Sequence, residues 1–136
     1  MKKEIIFDNV KFWLDQHIIY CSFNSKFDKR ILEIEIEQLF VEVITAFSLD
    51  NYKPILIDLT NLSYSKAYSL YKFISRNTNI KAHVISKSFL VRSLNVKLLF
   101  KLYSIGDDGV IPIQISTNYN RAIAYSQKQY SEFNSI

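Results

Sequence analysis

Polar and apolar positions alternate in short runs through the first part of the chain and change to helical spacing after it. Val10-Lys11-Phe12-Trp13-Leu14 alternates, the polar Asp15-Gln16-His17 interrupts it, and apolar residues resume over Ile18 to Phe23. Two β-rich runs joined by a short polar link predict a hairpin. Phe27-Asp28-Lys29-Arg30 reads as a connector. Leu32, Ile36, Leu39, Phe40, Val43, Ile44 and Phe47 then recur at helical spacing and turn one apolar stripe toward a core. The Glu33-Ile34-Glu35-Ile36-Glu37 alternation also suits a short strand, but length favours a helix, with the glutamates in its first turn where the macrodipole stabilises them. Asp50-Asn51-Tyr52-Lys53-Pro54 ends it.

A strand–helix pattern then repeats. Strand Ile55–Leu59 precedes helix Lys66–Arg76, whose Ala67, Leu70, Tyr71 and Ile74 share a face. Strand Ala82–Ser86 precedes helix Phe89–Tyr103, and strand Val110–Ile115 precedes helix Tyr119–Tyr130, with Thr117 or Asn118 placed to cap it. Strands alternating with helices favour parallel pairing through right-handed crossovers. The expected fold is a single α/β domain over residues 1–136. Its sheet is mixed and mostly parallel, of about five strands, with an N-terminal antiparallel hairpin and about four helices.

Helix Phe89–Tyr103 carries more apolar surface than one sheet contact needs. Leu90, Val91, Leu94, Leu98 and Leu102 make one stripe, and Phe89, Val96, Phe100 and Tyr103 add surface beside it. Either the helix is well covered and leaves some aromatics exposed, or the surplus is a face for self-association or a ligand. Leu94, Leu98, Phe100 and Tyr103 are the candidate residues of such a face.

Composition narrows the function classes. The chain has 136 residues, 49% hydrophobic and 22% charged, which is ordinary for a globular protein with a core of its own. No apolar run approaches the ~20 residues that span a bilayer. Asp8 stops the first apolar run too early for a signal peptide. The single cysteine, Cys21, forms no internal disulfide, and the expected location is a reducing cytoplasm. The net charge of +4 is scattered rather than packed into a tract, and no strand carries the basic-aromatic signature of an RNA-reading sheet, so no nucleic-acid partner is expected. Two glycines are too few for a phosphate-binding loop or a dinucleotide fingerprint.

The segment Pro54–Ala67 holds the most suggestive chemistry: a buried strand enters a polar turn and then opens a helix, the place where open α/β sheets carry their sites. Asp58 near the strand end either serves a metal or acid–base role or accepts hydrogen bonds from the turn around Thr60, and the turn-organising role is favoured because no second carboxylate or histidine lies nearby. Ser63 and Ser65 precede the helix as caps or as a phosphoacceptor or anion site. His17 in the hairpin turn and His83 in a strand lack companions at metal-ligand spacing, so no metal and no cofactor are expected. Cys21 reads as a small buried strand residue rather than a nucleophile. No catalytic constellation emerges, and the chain is read as a non-enzyme.

The element order and two segments resemble the STAS-like α/β domains, the group that includes bacterial anti-anti-sigma factors and shares a fold grouping with CRAL-TRIO lipid-carrying domains. Ile55-Leu56-Ile57-Asp58-Leu59-Thr60-Asn61-Leu62-Ser63 is similar to the family's apolar strand, Asp-Leu-Ser/Thr and turn into a helix. Asn95 through Ala124, with Ile111-Pro112-Ile113-Gln114-Ile115-Ser116-Thr117 inside it, resembles small bacterial STAS-like proteins, although Asn120-Arg121 stands where they have Glu-Glu before Ala122. The resemblance implies a bacterial regulatory domain that acts through protein–protein contacts, and the surplus apolar face of helix Phe89–Tyr103 makes a homodimer the expected state. The family's switch serine falls in the stretch of Ser63 and Ser65, where Tyr64, Lys66 and Ala67 depart from the Asp-Ser-x-Gly form. The other function weighed is a small-ligand or lipid-binding domain whose pocket helix 89–103 lines, with Tyr68 or Tyr71 near the mouth.

Overall fold

The alternation over residues 10–23 produces the expected hairpin, β2 (Val10–Asp15) and β3 (Ile18–Phe23), which turns at Gln16 and His17 with φ of 49° and 67°. An additional strand, β1 (Lys3–Phe7), folds back on β2 through a turn in which Asp8 takes a φ of 50°. Short polar side chains tolerate that region better than branched ones. The computed structural model describes residues 3–27, 33–103 and 111–135. The start of the first expected helix at Leu32, most of the connector after Phe27 and the start of the last expected strand at Val110 lie outside them.

Three parallel strands extend the sheet: β4 (Lys53–Asp58), β5 (Val84–Leu90) and β6 (Ile113–Ser116). Spatial order follows chain order from β1 to β6. Among the described residues the helices are α1 (Glu33–Phe47), α2 (Tyr64–Arg76), the single turn α3 (Thr78–Lys81), α4 (Leu94–Tyr103) and α5 (Tyr119–Phe133). The mixed α/β fold is as expected, with six strands and five helices among the described residues where about five and about four were read. The extra elements are β1 and α3.

Strands added in one direction by crossovers of one hand bring their helices to one face of the sheet. That face holds the main core: Ile19, Cys21, Ile55, Ile57, Phe89 and Ile115 of the strands meet Phe40 and Ile44 of α1, Leu70, Tyr71 and Ile74 of α2, and Phe100 of α4. The opposite face is covered by α5. There Ile18, Tyr20 and Leu56 pack on Ala122, with Trp13 and Ile123 beside them. This second layer is more polar, and the buried Ser88 and Ser126 hydroxyls meet at 3.2 Å.

Helix starts obey capping chemistry. Ser63, Asn77 and Asn118 each accept, through the side chain, the N–H of the residue three ahead, at 3.4, 2.9 and 3.1 Å. The last helix therefore uses Asn118 of its two candidate caps. Two lysines among the described residues are buried, against the usual rule for this residue. The Lys53 ammonium meets Oδ1 of Asp50 at 2.5 Å and Oδ1 of Asn51 at 2.8 Å, and this hydrogen bond holds the Asp50 carboxyl below its ordinary range. Lys87 donates to the carbonyls of Ile74 and Ser75, where a cation suits the C-terminal end of α2.

One sequence boundary is wrong, and it matters. The strand expected over Ala82–Ser86 starts at Val84 and runs to Leu90, and the helix expected from Phe89 starts at Leu94. Phe89 lies in register between Ile57 and Ile115 with no exposed surface, so burial against two neighbouring strands overrides helical spacing. Ser93 then caps α4 by accepting the Val96 N–H at 3.3 Å. His83, read as a strand residue, sits in the turn before β5 with its Nδ1 2.7 Å from the Asn79 carbonyl.

Candidate functional site

With α4 starting at Leu94, its buried residue is Phe100 rather than any of its leucines. Phe100 is fully buried, and its ring stacks on Tyr71 at 4.5 Å between centroids. The Tyr71 hydroxyl donates to the Phe100 carbonyl at 3.2 Å, and Tyr71 meets Phe89 edge to face at 4.8 Å. Phe100, offered from sequence as a candidate interface residue, is therefore a core residue. Tyr71 is also fully buried and stands at no pocket mouth.

The leucines of the apolar stripe that belong to α4 point outward. Leu94, Leu98, Leu99 and Leu102 keep 61%, 52%, 47% and 63% of their surface exposed. Positions 94, 98 and 102 lie one above another on a helix, with Leu99 on the adjoining row, so the four form one patch. Lys97 and Lys101 flank it, the helix carries no acid, and neither lysine meets a carboxylate among the described residues. Leu94 and Leu98 of the sequence candidates belong to this patch with Leu102 of the same stripe, while Leu99 joins it unforeseen. The signal for Leu99 was its place beside Leu98, on the row of the helix that adjoins the stripe.

Tyr103 is half-buried beneath two cations, with the Arg76 guanidinium 4.5 Å and the Lys72 ammonium 5.6 Å from its ring centroid. Tyr68, also half-buried, contacts Tyr103 at 5.8 Å and lies under Lys72 at 5.2 Å. Both tyrosines line a groove of about 470 Å³ between α2 and the end of α4. Lys72 and Arg76 already occupy ring faces there, which leaves those faces covered.

The turn at the end of β4 is closed on itself. Asp58 Oδ1 accepts the Thr60 N–H at 2.8 Å and the Thr60 hydroxyl at 2.6 Å. Arg92 locks the same turn, its Nε donating to the Thr60 carbonyl at 3.1 Å and its Nη2 to the Leu62 carbonyl at 3.1 Å. Ser63 and Ser65 are both exposed in the opening of α2. The adjoining cleft between α2 and α4, lined by Leu59, Leu62, Tyr64 and Val96, encloses only about 60 Å³. Ligand pockets are ordinarily several times larger.

Neither histidine is brought to Asp58. His17 and His83 precede β3 and β5 and lie at the amino ends of the parallel strands, whereas Asp58 ends β4. A strand of this length separates them by roughly 15–20 Å. His17 instead stacks on Tyr130 at 4.5 Å. Burial, with a smaller push from Asp58, raises the Cys21 thiol well above its ordinary value, which keeps it protonated and unreactive. Tyr119 is raised by burial and then by the charges of Asp58 and Asp15. Among the described residues no group of three or more His, Cys, Asp or Glu could hold a metal.

No protein-family model matches this chain, and no curated protein matches it significantly. Among the described residues, α4 gathers four exposed leucines on one helix.

Proposed function

We propose that this protein is a non-enzymatic, STAS-like interaction domain of a bacterial cytoplasm and that α4 presents its binding face to a protein partner. The observation that carries the proposal is the run of four outward leucines on a helix of only ten residues. Large apolar side chains gathered on one exposed patch mark interaction surfaces, whereas single exposed leucines mean little. Lys97 and Lys101 on the same helix favour a partner surface that is apolar at its centre and acidic at its rim. The STAS-like component is supported by the parallel strand that ends in Asp58-Leu59-Thr60 and turns into the Ser63-capped α2.

The closed turn supports a structural rather than catalytic use of Asp58, since its carboxylate is committed to Thr60. Binding of a small ligand or lipid beneath α4 has less support, because its inner side is filled by Phe100 against Tyr71. The test is a photo-reactive phenylalanine analogue placed at position 98 or 102 and, as a control, at Lys128 on exposed α5. In living cells of the native host, irradiation is expected to give a discrete protein adduct from positions 98 and 102 and none from 128. Equal labelling from all three positions, or none from any, would refute the α4 reading. No helix among the described residues is long and apolar enough to cross a membrane.

A further inference from the structure

We infer that the partner of α4 is a second copy of this chain, which receives the leucine face in an apolar pocket at the opposite edge of the sheet. This inference rests on the reading of α4 as an interaction face. The pocket has a volume of about 290 Å³ and lies where the turn of the β1–β2 unit meets α1. Phe7, Phe27, Ile36 and Leu39 supply apolar walls, and Phe7 keeps 52% of its surface exposed although it belongs to an edge strand. Asp8, Glu35 and Glu42 stand exposed around it, and none of the three meets a cation among the described residues.

The two surfaces are complements. One is a row of outward leucines flanked by Lys97 and Lys101, on a helix without an acid; the other is a concave apolar pocket bordered by three carboxylates and, among the described residues, by no base. Matching an apolar centre and opposite charges at the rim sets register and speeds encounter, and like charges disfavour the pairing of two pockets or of two helices. A symmetric α4-to-α4 contact would gather four lysines at one rim and no carboxylate from that helix.

Topology makes the contact head to tail. The pocket draws on β1, β2, β3 and α1, whereas α4 packs on β6 and α2. Because β1 and β6 are opposite edges of the sheet, a copy cannot fill its own pocket with its own helix. Each added copy leaves one free helix and one free pocket, so assembly continues unless the rotation closes a ring.

The experiment is sedimentation of the purified chain over a concentration series at low and high salt, with far-UV circular dichroism as a folding control. The average mass of the wild type is expected to rise with concentration, and raising salt from about 0.05 to about 0.5 M is expected to weaken association. Leu98→Glu on the helix and the double change Glu35→Lys with Glu42→Lys at the pocket should each weaken self-association at least about tenfold. Phe7→Lys on the exposed edge strand is the second pocket variant, should the double change disturb folding. An equimolar mixture of the helix variant and a pocket variant should then give a one-to-one heterodimer that grows no further, because only one intact helix and one intact pocket remain. A mixture that stays monomeric overturns the inference, as does loss of association in Leu98→Glu with no effect of either pocket change. A wild type that is monomeric throughout also overturns it; an adduct between position 98 and a different protein in cells would in that case leave the interaction-face reading standing.

Discussion

Replacing Phe100 and Leu98 separately by alanine tests the orientation of α4, on which the interaction proposal depends. Phe100 has no exposed surface and stacks on Tyr71 at 4.5 Å, with Tyr68 at 5.8 Å. Truncating a buried phenylalanine costs about 3–5 kcal/mol, as lost transfer energy plus the cavity left among rings that collapse poorly. Leu98 is half exposed, so its truncation forfeits only a minor part of that transfer energy. Alanine's better helix propensity offsets some of the loss, and the net effect is expected within about 0.5 kcal/mol. Urea unfolding followed by circular dichroism reads both variants, and equal m-values would assign the midpoint shift to stability alone. For a chain of this size each kcal/mol moves the thermal midpoint by about 3–5 °C, so Phe100→Ala should melt some 10–20 °C lower and Leu98→Ala within about 2–3 °C of the wild type. If the alanine variant of Phe100 is too unstable to measure, Phe100→Leu is expected to lose about 1–2 kcal/mol. A Leu98→Ala loss as large as that of Phe100→Ala would refute the reasoning, because the leucine stripe would then face the core.

Two further outcomes follow from the same geometry. Ser63→Ala removes an exposed cap whose hydrogen bond is long at 3.4 Å, so urea unfolding should show a loss of only about 0.5–1 kcal/mol, with Ser63→Asp near the wild type. Tyr20 is raised to about 12 by burial, then by Tyr119 and Asp15, and Tyr119 and Tyr125 are raised as well. The folded state therefore holds more protons than the unfolded state above the ordinary tyrosine value near 10. The associated stability is complete below that value and is lost as pH rises toward about 12, which phenolate absorbance and circular dichroism recorded together over about pH 9–12 would display as coupled transitions.

Much of the fold was legible because its strongest signals are local. The hairpin about Asp15-Gln16-His17, the apolar run ending at Asp58 and the caps at Ser63 and Asn118 each follow from residue chemistry within a few positions. The segment from Ala82 to Tyr103 was not legible in the same way. Val84 to Leu90 contains Ser86, Lys87 and Ser88, yet all seven residues are buried. Lys87 is accommodated by carbonyls at the end of α2, and Ser88 by Ser126 of α5, partners 12 and 38 residues away. Hydrogen-bond partners that distant leave no periodic trace beside the strand, so polar residues there counterfeit a turn. Ending the strand too early put Phe89, Leu90 and Val91 into the helix and left Phe100 among the candidates for its exposed face. Leu94 and Leu98 were legible as a candidate face even so, because their helical spacing survives the shift of the helix start.

The pairing of Ser88 with Ser126 also shows how the α5 face of the sheet is held. Both hydroxyls are buried, and they lie 3.2 Å apart in a layer whose apolar contribution is small beside that of the other face. Serine at 126 and alanine at 122 let α5 approach the strands closely, and the helix gives up propensity at 126 in exchange for one hydrogen bond. Replacing Ser88 alone by alanine leaves the Ser126 hydroxyl buried without this partner, at a cost of about 1–3 kcal/mol. Ser126→Ala strands the Ser88 hydroxyl in the same way but recovers about 0.5 kcal/mol of helix propensity. With both replaced, neither desolvated hydroxyl remains, so the double variant should lie within about 1 kcal/mol of the wild type rather than at the sum of the single losses. A double-mutant cycle by urea unfolding measures this coupling, expected at about 1–2 kcal/mol. Strictly additive losses would mean that the two serines stabilise the layer independently, through their own strand and helix, and that close approach of α5 rests on small volume alone.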